Sequence, residues 1–406
     1  MRIFFITHTY SLQGGGGGEA FVSNYLRRLR KLGHEVFVFT TKAPEFPEEQ
    51  ELGITAYRAP TFGHHAFHKF QYVLLAERAA RMAKQFNADI IHAQNDVFPG
   101  MIAHWVKKRT GLPVVLGVEY LSDKAVSINL KLVFLINKIF LPRLNYDVLV
   151  SWSHYVKENF LLPWGIAEDK ITVIPGAIDT VSFNPTVKPL TDFSKFGKNL
   201  IVSAKPLHRT NVAGISYVIR AMKLVARKHP NWKYVIVGSG QHQDKLHQLV
   251  KELKLQKNVI FAGPMPADKI PAVYAASKIV VHSFAFKATT SIALLESMSS
   301  GKAVVATDYG EVANTVGDAA LLCRAKNPKS IAAAINALIE KPKLRKEFER
   351  KARARARLYS IELIVARFLN LYRYCVLPGF VKRISLSLKK RNFSSPALGN
   401  YLSEIL

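Results

Sequence analysis

The first forty residues constrain the chain most. An apolar run at residues 2–7 is followed by Gln13, five consecutive glycines at 14–18 and Glu19. A helical periodicity over 20–32 then closes at Gly33, and 35–40, EVFVFT, is apolar again. This order predicts strand, glycine-rich loop, helix, strand. Such a βαβ unit holds its strands parallel and covers the sheet with the crossover helix. Short apolar runs at 88–92, 112–118, 147–151 and 171–174 continue the alternation, with helical patterns between them. Residues 184–199, rich in Pro, Lys and polar side chains, read as a linker. The pattern then restarts, with strands expected at 200–204, 234–237, 258–261, 278–283 and 303–307 and helices at 214–228 and 291–299. Two α/β domains in tandem are therefore expected. Their strand-to-helix loops would face each other across a cleft, where open parallel sheets bind ligands.

Composition enters through charge. The 406 residues carry 57 Lys+Arg against 29 Asp+Glu, a net charge of +28, and 49% are apolar. The apolar share excludes a disordered chain. The charge calls for an anionic partner: nucleic acid, a phospholipid surface or a phosphorylated ligand. Residues 1–198 hold net +6, 199–340 net +10 and 341–406 net +12. The basic residues are not interleaved with aromatics on a strand platform, and no recognition-helix motif occurs, which argues against nucleic acid. The stretch KARARARLYS reads either as a solvated helix followed by a loose tail or as a contact for an anionic surface.

Residues 124–143 raise a similar choice. Lys124, Lys131 and Lys138 are seven apart and share one helical face, while the rest is largely Val, Ile, Leu and Phe. Either the helix lies in a membrane interface, or it is a core helix whose lysines alone face solvent. No run of about 18 uncharged apolar residues is present, so no membrane span is expected. The opening apolar run is too short for a signal-peptide core. Cys323 and Cys375 form neither a disulfide framework nor a zinc motif, which fits a reducing compartment.

The ordered motifs resemble a known family. Residues 1–42, MRIFFITHTYSLQGGGGGEAFVSNYLRRLRKLGHEVFVFTTK, resemble the opening of glycosyltransferase family 4. KITVIPGAIDTVSFNP, KYVIVGSGQHQDKL, NVIFAGPMPADKIPAVYAASKIVVHSF and SIALLESMSSGKAVVATDYG follow in the family's order, up to about residue 375. The resemblance implies the α/β GT-B fold: two Rossmann-like doubly wound domains facing across a cleft. It sets an acceptor domain at 1–190, a donor domain at 191–358, and at 359–406 a helix returning to the first domain plus a basic tail. It also implies sugar transfer from a nucleotide-sugar co-substrate, with retention, no cofactor and no metal; the sequence has no Asp-x-Asp pair.

Site residues follow from the same resemblance. The family's Arg and Lys, five apart after the first strand of the second domain, fall on Lys205 and Thr210, with Arg209 as a substitute cation. Its paired glutamates, E-x7-E, fall on Ala288 and Glu296, and Glu296 would hold the ribose hydroxyls. Glu119 stands where the family often has His, either binding sugar hydroxyls or sitting in a salt link. The expected catalytic residues are Glu119, Lys205 and Arg209. Donor contacts are expected at Gly17, Gly18, Gly238, Ser239, Gly263, Thr289, Thr290, Ser291, Leu295 and Glu296. His92, at a strand end, reads as structural or functional alike, and Gly176-Ala177 departs from the family's Pro-Asn-Gly turn. Two functions stay open. One is an active enzyme on the cytoplasmic face of an anionic membrane, with a lipid-linked or glycan acceptor. The other is a catalytically impaired relative that binds nucleotide sugar or a partner enzyme as a scaffold.

Overall fold

The computed structural model describes residues 1–8, 10, 17–41, 53–59, 74–119, 128–285 and 290–389; at 17, 41, 59, 128–130, 209–210 and 378–389 this covers the backbone alone. Two all-parallel sheets organise the chain. The first holds β1 (Arg2–Thr7), β2 (Glu35–Thr41), β3 (Thr55–Ala59), β4 (Ile90–Asn95), β5 (Val114–Val118), β6 (Val148–Ser151) and β7 (Ile171–Val173). Their order is β3-β2-β1-β4-β5-β6-β7. The second holds β8 (Leu200–Ala204), β9 (Lys233–Val237), β10 (Val259–Gly263), β11 (Ile279–His282), β12 (Ala303–Asp308) and β13 (Leu321–Arg324), in the order β10-β9-β8-β11-β12-β13. Ile3, Phe4, Phe5 and Ile6 are all fully buried because helices cover both faces of the sheet.

The helices that position the site are α1 (Gly17–Lys31), α2 (Val97–Thr110), α3 (Ile128–Phe140), α4 (Arg209–Lys228), α5 (Ile292–Ser299), α6 (Pro342–Ala356) and α7 (Ile361–Lys389). Helix α7 leaves the second domain and returns to the first. There Ile364, Val365, Phe368 and Tyr372 pack with Phe21, Tyr25 and Trp152. Paired backbone bonds, Ile178 N–H to the Tyr359 carbonyl and Ile361 N–H to that of Ile178, both 2.9 Å, fix the crossing.

Three expectations are corrected. Residues 184–199 are not simply a linker: Thr191–Phe196 is a 3-10 helix, and its Phe193 is 1% exposed in the second domain's core. The chain beyond KARARARLYS does not loosen there, since α7 runs to Lys389. In α3, Lys131 and Lys138 are not alone in solvent: Leu132, Leu135, Ile139 and Phe140 are 40–50% exposed beside them. Its inward side is held by Asn137, which accepts from Val97 N–H at 3.2 Å and donates to the Val133 carbonyl at 2.8 Å. Lys124 lies outside the described residues. Among the described residues no helix is long and apolar enough to cross a membrane.

Candidate active site

Strands β1, β4 and β5 are neighbours and end together, so the residues at their C-terminal ends converge. Glu119, one residue past β5, accepts two hydrogen bonds on Oε1, from Gln94 Nε2 at 3.0 Å and from Asn95 Nδ2 at 3.1 Å. Asn95 Oδ1 in turn accepts from Thr7 Oγ1 at 2.5 Å. Asn95 has φ of +110°, a conformation costing on the order of 1–3 kcal/mol in a non-glycine residue, held here by its side-chain bonds. Asp96 caps α2 by accepting from Phe98 N–H at 3.0 Å, and His8 Nε2 lies 3.0 Å from the same oxygen. At the start of α1, a Cβ on Gly18 would stand 2.5 Å from Glu119 Oε2, so the glycine leaves room for the carboxylate. Burial pushes the Glu119 carboxyl up to about 7; the nearby charges of Asp96 and Glu19 add to this, and the two amide bonds oppose it. Among the described residues its hydrogen-bond partners are the amides of Gln94 and Asn95.

The second domain presents a complementary edge. Lys205 follows β8 and is 9% exposed. Its Nζ lies 4.0 Å from the centroid of the Phe284 ring and has no hydrogen-bond partner among the described residues. Burial pulls its ammonium down to about 7. A buried ammonium against an aromatic face and without a hydrogen-bond partner among the described residues is costly, and a bound anion removes that cost. The loop is fixed by Lys205 N–H to the Val237 carbonyl and Leu207 N–H to the Ser239 carbonyl, both 2.9 Å. Gly238, with φ of +134°, is required because any Cβ would collide with the Lys205 carbonyl. Helix α4 starts just beyond, and its free N–H groups add positive potential at the same loop. Nearby, His282 Nε2 bonds Ser297 Oγ at 3.0 Å, while its Nδ1 has no hydrogen-bond partner among the described residues. Burial and the charge of Lys205 keep that imidazole neutral.

Glu296 lies on α5, whose N-cap Ser291 accepts from Leu294 N–H at 3.4 Å. Tyr274 Oη donates to Glu296 Oε2 at 3.5 Å, and burial pushes the carboxyl up to about 7. The two edges meet. Thr290 Oγ1 donates to the Trp152 carbonyl at 2.9 Å, Tyr155 N–H donates to Glu311 Oε2 at 2.8 Å, and α1 packs on α5.

The other expected site residues divide. Gly17 opens α1. Gly263 ends β10 with φ of +76°, and its carbonyl accepts from Gly238 N–H at 2.8 Å; Ser239 is exposed. Leu295 is buried with Ile178, Ile292 and Tyr359, so its side chain packs the domain junction. The Thr290 hydroxyl is spent on Trp152. Arg209 and Thr210 begin α4, but their side chains, like Thr289, Ala288 and glycines 14–16, lie outside the description. Sequence reasoning missed Gln94, Asn95, Phe284 and His282. Only the first had a usable signal: His92 and Gln94, two apart on a strand, share one face.

Comparison with known proteins agrees with this architecture. The profile of Glycosyltransferase Family 4 matches residues 15–182, and that of Glycosyl transferases group 1 matches residues 193–355. The chain is 26% identical to an alpha-monoglucosyldiacylglycerol synthase of Streptococcus pneumoniae, over 78% of this chain and 74% of that protein. It is 26% identical to a D-inositol 3-phosphate glycosyltransferase of Acidothermus cellulolyticus, over 90% and 88%. Among solved structures, Anabaena Alr3699/HepE in complex with UDP superposes with a TM-score of 0.75 at 20% identity, covering 91% of this chain and 99% of that one. A glycosyltransferase of Rickettsia africae gives 0.75 at 19% identity, over 93% and 99%. With one profile on each parallel-sheet domain, the chain belongs to glycosyltransferase family 4 and is a glycosyltransferase of the GT-B fold.

Proposed function

We propose that the protein transfers a sugar from a nucleoside-diphosphate donor to a lipid-linked or glycan acceptor at an anionic membrane surface, with retention and without a metal. The observation that carries this is Lys205, a buried ammonium at the cleft edge whose charge the described residues leave unmatched. A diphosphate leaving group supplies that charge, and Lys205 with the N-terminus of α4 stabilises it as it departs. Glu296 accepts from the ribose hydroxyls. Glu119, across the cleft, accepts from a hydroxyl of the transferred sugar or of the acceptor. Relatives named for glucosyldiacylglycerol and for phosphatidylinositol favour a lipid acceptor, as does the exposed apolar face of α3. The cytoplasmic leaflet supplies anionic lipid for the basic surface.

The test is transfer of labelled sugar from UDP- and GDP-sugars to total lipid extract on anionic vesicles, with EDTA present throughout and the product's anomeric configuration read by NMR. Retained configuration in EDTA is expected; absence of product with every donor overturns the reading. The scaffold alternative predicts that Ala288→Glu creates or raises donor hydrolysis, whereas an active native site loses turnover on that change.

A further inference from the structure

We propose that Tyr372 on α7 and His92 on β4 are positioning residues for Glu119, acting on it through Gln94. These four side chains and Tyr25 form one continuous hydrogen-bond chain. Tyr25 Oη lies 2.5 Å from Tyr372 Oη, which bonds His92 Nδ1. His92 Nε2 lies 2.9 Å from Gln94 Oε1, and Gln94 Nε2 lies 3.0 Å from Glu119 Oε1.

The chain has a single direction. Glu119 Oε1 already accepts from Asn95, so it remains an acceptor toward Gln94 whether or not Oε2 carries a proton. Gln94 therefore turns its amide nitrogen to Glu119 and its carbonyl oxygen to His92. That oxygen can only accept, so the His92 proton sits on Nε2. Nδ1 is then an acceptor, and Tyr372 donates to it, leaving the Tyr372 oxygen to accept from Tyr25. Reversing any one group sets two acceptors face to face in a buried site, a cost of about 1–3 kcal/mol. The imidazole is neutral, since burial pulls it down to about 3, so it carries the single proton this order needs. Gly117, beside Gln94 in β5, is glycine for the same reason: any Cβ there would fall on Gln94 Oε1.

The consequence joins distant parts of the chain. Tyr372 reaches the first domain only because α7 crosses back from the second, so the aim of Glu119 depends on that helix being docked. Among the described residues the carboxylates near Glu119 are Asp96 and Glu19, and His8 Nε2 lies against Asp96. The first two disfavour its anion, and the amide at the end of the chain favours it.

The assignment deepens the transferase reading of Glu119, but its test needs no donor, so the two fail separately. Carbon-13 glutamate labelling, with the Glu119 carboxyl resonance identified by its loss in Glu119→Gln, gives the titration midpoint directly. A midpoint near 7 is expected for the native chain. Gln94→Leu is expected to raise it by about one unit, the worth of one hydrogen bond to a charged group, and Tyr372→Phe, which leaves that bond in place but unfixes its direction, to raise it by less. Thermal melting identifies a variant that fails to fold; should Tyr372→Phe do so, His92→Phe, which breaks the same relay from within β4 and leaves the sequence of α7 untouched, decides in its place. A midpoint unchanged in the folded variants overturns the proposal, because a merely structural contact lowers the melting temperature without moving the titration of Glu119.

Discussion

At the scale of single residues, the cleft is a set of charges held away from their ordinary proton affinities. Lys205 is lowered from 10.5 to about 7, while Glu119 and Glu296 are raised from 4.5 to about 7. For the lysine, the unfolded chain binds more protons between pH 7 and 10.5, so its contribution to stability rises with pH across that window. For the glutamates, the folded chain binds more protons between pH 4.5 and 7, so theirs falls as pH rises there. The site is thus most costly near neutrality, where a ligand relieves it. Binding of UDP or GDP at pH 8 should take up about one proton, because the diphosphate restores the charge on Lys205. Calorimetry in two buffers of different ionisation enthalpy measures this. In Lys205→Met the uptake should vanish and affinity should fall, while the melting temperature at pH 6.5 should rise, the buried charge being gone. The sequence placed Lys205 at the end of its strand but could not show it unpaired, because its neighbour Phe284 comes from a different strand end.

At the scale of elements, legibility followed burial. The central strands β1, β4, β8 and β11 read as apolar runs because both of their faces are covered. The edge strands β3 (TAYRA) and β13 (LLCR) escaped notice because half-exposed positions break the run. Glycines were harder still. The sequence assigned Gly238 to ligand contact, yet its missing Cβ makes room for the Lys205 carbonyl, and Gly214 lets α4 close on the Ser283 carbonyl. Gly176, where the family has Asn, faces side chains rather than backbone. A Cβ there would lie 2.9 Å from Ile292 Cδ1 and 3.1 Å from Trp152 Cζ3, so an Asn would press on both side chains at the domain junction. Gly176→Asn should therefore destabilise by about 1–3 kcal/mol through overpacking. A urea titration should show the lower midpoint at an unchanged slope, and a midpoint at or above the native one would refute the account.

At the scale of the whole molecule, the net charge of +28 changes meaning once the basic residues are placed. The last 66 residues hold net +12, which on sequence alone resembles a tail available to any anion. Part of it is structural. On α6, Arg353 donates to the carbonyls of Thr180, Phe183 and Ser299, Arg355 donates to those of Asn314 and Thr315, and Lys351 pairs with Glu347 and Asp318. A surface for anionic lipid is better sought where lysines and apolar side chains are exposed together, and α3 offers Lys131 and Lys138 beside Leu132, Leu135 and Ile139. Each Lys at an anionic bilayer is worth about 1 kcal/mol. Lys131→Gln with Lys138→Gln should then weaken sedimentation with anionic vesicles about 30-fold at low salt. Leu135→Gln with Ile139→Gln should weaken whatever binding survives high salt, since the apolar term is not screened. If both double variants sediment like the native chain, α3 is not the membrane contact, and the charge that meets the lipid lies elsewhere on the molecule.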